Sequence, residues 1–194
     1  MVEFTGESLG KILIARLRDN KNFDEIISIV KNNSKGNIFL VGGTISRTLA
    51  SELYGGKQKN QDFDFVVDVL NDKLKIPEGW TVTHHKFGNP TFKKDDVEID
   101  IFPLSDHQYI KKNNLEPTIK NFLAGVPFSI QALVFDIKHE KLIGQDGIEA
   151  LKNRKFKVHN VESAKEVAKR KNCSVNERMM QKAESMKFEI IPFD

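Results

Sequence analysis

The chain has 194 residues, of which 39% are hydrophobic and 29% are charged, and its net charge is +3. This length and composition suit one compact globular domain. No apolar run reaches the ~18 residues of a membrane-spanning helix, so we expect no membrane partner. The single cysteine, Cys173, excludes an internal disulfide and a cysteine-based metal cluster. Because the first residues also lack a signal pattern, we expect a cytoplasmic protein.

Charge is unevenly distributed along the chain. Residues 151–194 contain 11 Lys and Arg against 6 Asp and Glu, a net of +5, which leaves −2 for residues 1–150. A basic segment behind a slightly acidic body is compatible with a phosphate-bearing partner such as a nucleotide or RNA. A lysine-rich helix that is merely solvated gives the same pattern, so both interpretations stay open.

The predicted elements mix helices and strands. Helix-period apolar residues indicate the helices, the second beginning with Asn22 and Glu25 in capping-box spacing and a later one taking Pro117 as its first residue. They are predicted at residues 6–17, 23–30, 44–54, 118–123 and 147–153, with two more beyond residue 159 and a break near Asn172. Apolar runs bounded by turn residues predict strands at 37–41, 63–69, 81–86, 91–94, 97–102 and 128–136. We therefore expect an α+β fold whose mixed β-sheet has about five strands flanked by helices. Residues 1–158 would form the main domain and residues 159–194 a short helical C-terminal segment.

Two aspartates stand two residues apart in the predicted strand QDFDFVVD. Side chains at i and i+2 of a strand project to one face about 7 Å apart, so Asp62 and Asp64 lie together. Neighbouring carboxylates repel unless a cation lies between them, and hard oxygen ligands suit Mg²⁺. Taken alone, the D-x-D pattern is more often a solvent-facing strand.

Further candidate ligands lie on the next strands. The strand VEIDIF offers a third carboxylate, Asp100 or Glu98, if it pairs beside QDFDFV. Three carboxylates can hold two metal ions about 4 Å apart for in-line phosphoryl chemistry. His84 and His85 are adjacent in THHKF and point to opposite faces of a strand, so we do not expect them to share an ion.

A glycine pair, Gly42–Gly43, ends the apolar strand NIFLV and opens the next helix. Backbone N–H groups and the helix N-terminus there can meet a phosphate without obstruction by side chains. The pair matches neither the Walker loop nor G-x-G-x-x-G, and by itself it also fits a tight strand-to-helix turn. The order of strand, glycine pair, helix and D-x-D strand is much rarer by chance than either motif, and it favours a nucleotide site.

The order VGGTISR then DFD resembles the nucleotidyltransferase superfamily of DNA polymerase beta type. Within it, the chain is similar to the head domain of class II CCA-adding enzymes and poly(A) polymerases, where V-G-G-x-V-R-D precedes D-x-D. Later family segments resemble GVPFSIQAL (residues 125–133), LIGQDGIEALKNRKFKVH (142–159) and ERMMQKAESMKFEI (177–190), the last being the helix that leads from head to neck. The likeness spans about residues 38–190, nearly the whole chain.

This resemblance implies metal-dependent transfer of NMP from an NTP to an acceptor hydroxyl, with release of pyrophosphate. The acceptor would be an RNA 3′ end, such as that of tRNA. Asp62, Asp64 and Asp100 would be catalytic and would bind two Mg²⁺ ions. The expected nucleotide-binding residues are Gly42, Gly43, Thr44, Ser46, Arg47, Lys152 and Arg154.

The chain also departs from the family. Ser46 and Arg47 replace the Arg-Asp pair after the glycines, residues 125–127 replace R-R-D, and Gln131 replaces an Asn. The neck motif E-D-x-x-R, which selects C or A in the family, has no clear counterpart, although Arg178 matches one neck arginine and Gln181 stands where another would be. We therefore predict a minimal nucleotidyltransferase. Two alternatives stay open: transfer to a protein or small molecule, and a non-catalytic nucleotide- or RNA-binding domain.

Overall fold

The computed structural model describes residues 2–55, 62–85 and 88–194, which form both helices and strands. Within these residues the α-helices are α1 (Gly6–Arg18), α2 (Phe23–Asn33), α3 (Gly43–Tyr54), α4 (Gln108–Lys112), α5 (Ile119–Ala124), α6 (Gln145–Asn153), α7 (Val161–Arg170) and α8 (Val175–Ala183). The strands are β1 (Ser34–Val41), β2 (Asp62–Leu70), β3 (Thr81–His84), β4 (Pro90–Lys94), β5 (Val97–Pro103), β6 (Val134–Asp136), β7 (Lys141–Ile143), β8 (Lys155–Phe156) and β9 (Glu189–Ile190). In this described part of the chain, no helix is long and apolar enough to cross a membrane.

Seven strands form one mixed sheet in the order β3-β4-β5-β2-β1-β6-β7, while β8 and β9 pair in parallel apart from it. Strand β2 runs parallel to β5, and the other described pairings in the large sheet are antiparallel. The predicted α+β class is confirmed, although the sheet has seven strands rather than about five. The additional strands include β7, whose three residues carry too little pattern to be predicted.

The central strand β2 separates two apolar layers because its side chains alternate between the faces of the sheet. Phe63, Phe65 and Val67 are buried in the larger layer, which includes residues of α1, α2 and α3. Val66 is buried on the other face, in a smaller layer that includes residues of β1, α4 and α5. Asp62 and Asp64 share the face of Val66 by the same period of two. The smaller layer therefore borders the acidic end of β2.

The apolar run predicted as a strand at 128–136 is extended only in part. Ser129–Gln131 forms a 3₁₀ turn, and β6 begins at Val134. Ser129 is fixed against Lys157, because Ser129 N donates to the Lys157 carbonyl at 2.9 Å and Lys157 N donates to Ser129 Oγ at 3.2 Å. This long-range pairing makes the chain turn, and a continuously apolar run has no period that would reveal it.

The predicted capping box at Asn22 is wrong. Asn22 precedes α2 with right-handed rather than extended backbone, and its side chain makes no capping bond. A side-chain N-cap needs extended backbone to direct its oxygen at the first turn. Glu25 is used elsewhere, since its carboxylate accepts from Trp80 Nε1 at 2.8 Å and from Lys94 Nζ at 3.0 Å.

The helix predicted at 118–123 is α5, but Pro117 is not its first residue as predicted. Thr118 caps this helix, accepting from Asn121 N at 3.2 Å, and Ile119 is its first residue. Pro117 therefore lies before the cap rather than at the first helical position.

The C-terminal segment, residues 159–194, is helical as predicted and packs into the larger layer. Ala164 of α7 and Met179 and Ala183 of α8 are buried in the same cluster as α1–α3, and β9 pairs with β8. Burial of this segment fixes α8 relative to the sheet, which matters for the site described below.

Two consecutive methionines of α8 test this packing. Met179 is fully buried and Met180 is 52% exposed. Met179→Ala should lower the free energy of unfolding by about 2–5 kcal/mol because it leaves a cavity in the core. Met180→Ala, a control of identical chemistry, should change it by less than about 0.5 kcal/mol. Urea denaturation of both variants measures this, and equal effects would contradict the described orientation of α8.

Candidate active site

Parallel pairing of β2 with β5 brings four carboxylates to one face of the sheet. Asp62 is the partner of Glu98, and Asp64 is the partner of Asp100. Partners in register share a face, and neighbouring strands lie about 4.8 Å apart, so these side chains form one acidic group. The structure thus brings together the three aspartates that the sequence singled out.

Strand β4 distinguishes the two candidates for the third carboxylate. Lys93 Nζ forms an ion pair with Glu98 Oε2 at 2.9 Å, so Glu98 already has a cationic partner. Asp100 instead lines a cleft of about 570 Å³ together with Asp64 and His85. We call this the acidic cleft. Its lining favours Asp100 over Glu98 as the third member of the acidic group.

The carboxyl group of Asp64 is costly to ionise in the folded protein. Burial raises the pKa of Asp64 to about 6, and repulsion by the Asp100 carboxylate adds to the rise. The cations of Lys182 and Arg47 act in the opposite direction without cancelling it. A cation bound between Asp64 and Asp100 would remove this penalty.

The turn that ends β1 packs directly on Asp64. Val41 is the partner of Asp64 in the antiparallel pairing of β1 with β2, and Gly42 comes next in the chain. Gly42 has a φ of +81°, and a β-carbon there would overlap Asp64 Oδ2. Only glycine fits this left-handed position without strain or collision. The glycine pair and the D-x-D strand are therefore two sides of one site, which explains their spacing in the sequence.

The hydroxyls of Thr44 and Ser46 are used inside the protein. Thr44 Oγ1 donates to the Asp62 carbonyl at 2.5 Å and so ties α3 to β2, and Ser46 Oγ donates to the Gly43 carbonyl at 3.2 Å. Both residues are buried. The first turn of α3 thus offers a ligand its backbone N–H groups, which have no partner within the helix, rather than these hydroxyls.

Arg47 lies against the second glycine of the pair. A β-carbon at Gly43 would overlap the Arg47 guanidinium, so the absence of a side chain makes room for this cation. Gly43, Ser46 and Arg47 line a small cleft of about 130 Å³, to which α8 contributes Lys182. We call this the glycine cleft. It places two cations beside the N-terminus of α3.

A neighbouring cleft of about 460 Å³ is lined by cations of the C-terminal segment: Arg170, Lys171, Arg178 and Lys182. We call it the cationic cleft. Burial lowers the pKa of Lys182 to about 8, and the nearby cations Arg178 and Arg47 add to this effect. Lys182 lines both the glycine and cationic clefts, and Arg170 and Lys171 line both the cationic and acidic clefts. The cationic cleft thus shares lining residues with each of the other two clefts.

In the cationic cleft, two buried polar atoms have no hydrogen-bond partner among the described residues: Gln131 Oε1 and Arg178 Nε. Both side chains line the cationic cleft. Arg178 is held in place through its other nitrogen, since Nη1 donates to Gln181 Oε1 at 2.9 Å. An unpaired buried polar atom costs about 1–3 kcal/mol, so a ligand that offers one donor and one acceptor here would gain that free energy.

Lys152 and Arg154 are not brought together with these residues. Arg154 lies 5.0 Å from the ring of Tyr54, the last residue of α3, and donates to the Lys187 carbonyl at 3.1 Å. Gly43 is the first residue of that helix, about 16 Å away at 1.5 Å per residue. Neither Lys152 nor Arg154 lines any of the three clefts, so neither residue is included in the proposed site.

The donor set fits a divalent cation of the magnesium type. Within the described residues, no three Asp, Glu, His or Cys side chains converge closely enough to hold a metal ion as they stand. Asp64 and Asp100 nevertheless line one cleft, and burial together with repulsion by Asp100 raises the pKa of Asp64, so a bound cation would favour its charged form. Carboxylate oxygens are the ligands that Mg²⁺ prefers, and Asp62 on the same face is a third such group.

The sequence did not identify several residues as members of the site: His85 was considered only as a ligand shared with His84, Gln131 only as the replacement of a family Asn, and Thr91 and Lys182 not at all. His85 and Thr91 contact Asp100, while Lys182 and Gln131 line the clefts. The contacts of His85 and Thr91 depend on how β3, β4 and β5 pair, and those of Lys182 on how α8 docks. Alternation along β4 and β5 could have indicated Thr91, but the register between two strands is not a local signal.

Asp64 makes the stability of the metal-free protein depend on pH. Its pKa rises from 3.8 to about 6 on folding, so the protonated carboxyl group favours the folded state. This contribution to the free energy of unfolding is fully present below pH 4 and is lost as the pH rises through about 6. Asp64→Asn stays neutral, and its stability relative to the wild type should increase between about pH 4 and pH 7 by up to about 3 kcal/mol.

Urea denaturation in the presence of a chelator measures this difference. Lys182 has a pKa of about 8, so it remains protonated below about pH 7 and does not contribute to the measured pH dependence. The exposed Asp72 provides the control variant Asp72→Asn, and a stability difference for Asp64→Asn that does not vary with pH would contradict the described burial.

Comparison with known proteins was made at the level of sequence and of structure. No protein-family model and no curated protein sequence matches the chain. Among solved structures, a CCA-adding enzyme with CTP matches with a TM-score of 0.66 and 21% identity, over 95% of this chain and 43% of that chain. The Thermotoga maritima CCA-adding enzyme complexed with tRNA matches with a TM-score of 0.63 and 20% identity, over 95% and 42%. A CCA-adding enzyme with ATP matches with a TM-score of 0.58 and 21% identity, over 93% and 41%.

The chain spans less than half the length of these three proteins. With TM-scores of 0.66, 0.63 and 0.58, the chain and these three proteins share a fold at 20–21% identity. The resemblance predicted from VGGTISR and DFD is thereby confirmed for the fold: over the part that it covers, this chain is built like the CCA-adding enzymes.

Proposed function

We propose that the protein is a nucleotidyltransferase that transfers NMP from an NTP to an acceptor hydroxyl, with an RNA 3′ end as the favoured acceptor. One observation carries the proposal: a glycine turn at a helix N-terminus packs on a carboxylate pair and opens into clefts lined by cations. Anion-binding and cation-binding groups meet at one place, as transfer of a phosphoryl group requires.

The triphosphate occupies the glycine cleft in this proposal. The backbone N–H groups at the start of α3 face its oxygens, and the helix dipole favours its negative charge. Arg47 and Lys182 supply the positive charges that line the cleft. Because Lys182 has a pKa lowered to about 8, a bound triphosphate would also restore its preference for the charged form.

Asp62, Asp64 and Asp100 would hold Mg²⁺. When bound, the ion would neutralise charge on the phosphates and favour ionisation of the attacking hydroxyl. The sheet fixes the positions of the three carboxylates, and these positions determine where the positive charge of the ion would lie. In the transfer itself, the acceptor hydroxyl gives up its proton to solvent and its oxygen bonds to the α-phosphorus, while the bond from that phosphorus to the bridging oxygen breaks and pyrophosphate leaves. Positioning contributes most of the catalysis.

The nucleotide base would lie in the cationic cleft. Gln131 Oε1 lacks a donor and Arg178 Nε lacks an acceptor among the described residues, and the pairing edge of every base offers both groups side by side. This pair therefore favours a base without choosing one. We propose weak selectivity among the four NTPs rather than a programmed choice of C or A.

The acidic cleft would receive the acceptor. It lies on the Asp100 side of the acidic group and includes Arg170 and Lys171, which suit the phosphate of a terminal nucleotide. The structural neighbours are described with CTP, with ATP and with tRNA, which supports NTP and RNA as partners of this chain.

Incubation with each α-labelled NTP, Mg²⁺ and bulk RNA or cell lysate tests the activity. We expect label in RNA with the wild type, and none with the double variant Asp62→Asn and Asp64→Asn because the cation site is lost. The exposed Asp72→Asn is the control and should transfer like the wild type. Label in a protein or a small molecule would show that the acceptor is not RNA. Mg²⁺-dependent NTP binding without transfer would indicate a non-catalytic binding domain. Neither binding nor label would contradict the proposal.

The glycines test the triphosphate site separately. Gly43→Ala displaces the flexible Arg47 side chain, so NTP affinity should fall while stability changes little. Gly42→Ala must adopt φ near +81° against Asp64, so it should lose affinity and about 1–2 kcal/mol of stability or more.

The control is Gly55→Ala at the other end of α3. It has φ +75° with no atom of the described residues within 4 Å of the added β-carbon, and should lose stability without losing NTP affinity. Fluorescent-NTP titration and urea denaturation measure the two effects. Undiminished NTP affinity in Gly43→Ala would favour a plain strand-to-helix turn.

A further inference from the structure

One oxygen of Asp100 receives two hydrogen bonds from residues outside the D-x-D pattern. Thr91 Oγ1 donates to Asp100 Oδ1 at 2.6 Å, and His85 Nε2 lies 2.9 Å from the same oxygen. His85 Nε2 is also 2.8 Å from Thr91 Oγ1, so the three groups form a closed triangle. Among the described residues, the side-chain hydrogen bonds to Asp100 end on Oδ1 and leave Oδ2 aside.

The triangle determines which nitrogen of His85 carries a proton. Thr91 has one hydroxyl proton, and the short contact with the carboxylate uses it. An unprotonated Nε2 would then face only lone pairs, on Asp100 Oδ1 and on Thr91 Oγ1. His85 must therefore donate from Nε2, whether the ring is neutral or charged.

Strand pairing holds both donors in place. Thr91 is the partner of Asp100 between β4 and β5 and is 2% exposed, so its hydroxyl is shielded from solvent. His85 follows the last residue of β3. Its backbone N–H donates to the Asn89 carbonyl at 2.9 Å, and its carbonyl accepts from Gly88 N at 2.8 Å. The end of this hairpin therefore carries His85 to Asp100.

We infer that His85 and Thr91 are positioning residues, which occupy Oδ1 of Asp100 so that Oδ2 is presented to the cation of the acidic group. This inference rests on the proposed function. Donors on one carboxylate oxygen fix the orientation of the group and leave the lone pairs of the other oxygen for a metal ion.

A purely structural role gives a different expectation. If the triangle served only to fasten the β3–β4 hairpin to β5, its loss would lower the stability of the fold and leave cation affinity unchanged. Affinity for a cation in the absence of nucleotide therefore separates the two roles.

Titration of the full chain with Mn²⁺ alone, followed by calorimetry, is the experiment. His85→Ala should weaken Mn²⁺ binding about tenfold, the lower end of the effect of losing an outer partner of a metal ligand. His85→Gln should recover most of the affinity, because its amide N–H can stand near the position of Nε2. His84→Ala removes the neighbouring imidazole, which makes no described contact with Asp100, and should bind Mn²⁺ like the wild type.

Thr91→Val gives an independent arm. It removes the hydroxyl and keeps the shape, and it should weaken Mn²⁺ binding in the same direction as His85→Ala. Thr83→Val is its control, since Thr83 is the β3 partner of Thr91 and makes no described bond to Asp100. In transfer assays, His85→Ala should lower kcat and leave the KM for NTP unchanged, because the triphosphate lies in the glycine cleft.

The outcomes that would contradict the further inference differ from the outcome that would also contradict the proposed function. Wild-type Mn²⁺ affinity in both His85→Ala and Thr91→Val, or an equal loss in His84→Ala, would overturn the inference while the proposed function stood. A wild-type protein that binds neither Mn²⁺ nor NTP would overturn both.

Discussion

Parallel, in-register pairing of β2 with β5 is the constraint on which the site depends. It places the carboxylates of Asp64 and Asp100 on neighbouring strands of one face, where repulsion and burial make ionisation of Asp64 unfavourable. Pairing by backbone hydrogen bonds and burial of the opposite face in the larger apolar layer hold the two groups there regardless. The sheet thus holds together two carboxylates whose repulsion is relieved either by protonation of Asp64 or by positive charge nearby.

The surrounding elements relieve that repulsion from several sides. Arg47 and Lys182 bring positive charge from α3 and α8, and Thr91 and His85 direct hydrogen bonds to one oxygen of Asp100. The two cations do not offset the combined effect of burial and of the Asp100 carboxylate, since the pKa of Asp64 stays raised. The remaining need for positive charge is what suits the site to a metal ion together with a charged substrate. The cations are also arranged so that Arg170 and Lys171 stand between the clefts assigned to nucleotide and acceptor.

The sequence predicted the parts of the site that follow from local patterns. Alternation within QDFDFVVD put Asp62 and Asp64 on one face, and the glycine pair at the end of an apolar run indicated a strand-to-helix turn. It could not choose between Glu98 and Asp100, because the choice depends on Lys93 of another strand. Arg154 was assigned to the nucleotide on the basis of a motif, whereas the docking of α6 places it beside Tyr54. His85 and Lys182 depend on strand pairing and helix docking, which are long-range properties that no local period encodes. The prediction of a strand at 128–136 failed for a related reason, since uniform apolarity does not distinguish a strand from a buried turn.

The inward face of α8 contributes residues both to the apolar core and to the candidate site. Met179 and Ala183 are buried in the larger apolar layer, while Lys182, between them, reaches the glycine cleft. Local opening of this helix would therefore remove a cation from the site in the same event that exposes the core. By thermodynamic linkage, a ligand held by Lys182 opposes that opening. The amide protons of α8 thus become reporters of occupancy: their exchange with solvent slows when the cleft is filled, although the helix lies outside both motifs that first indicated the site.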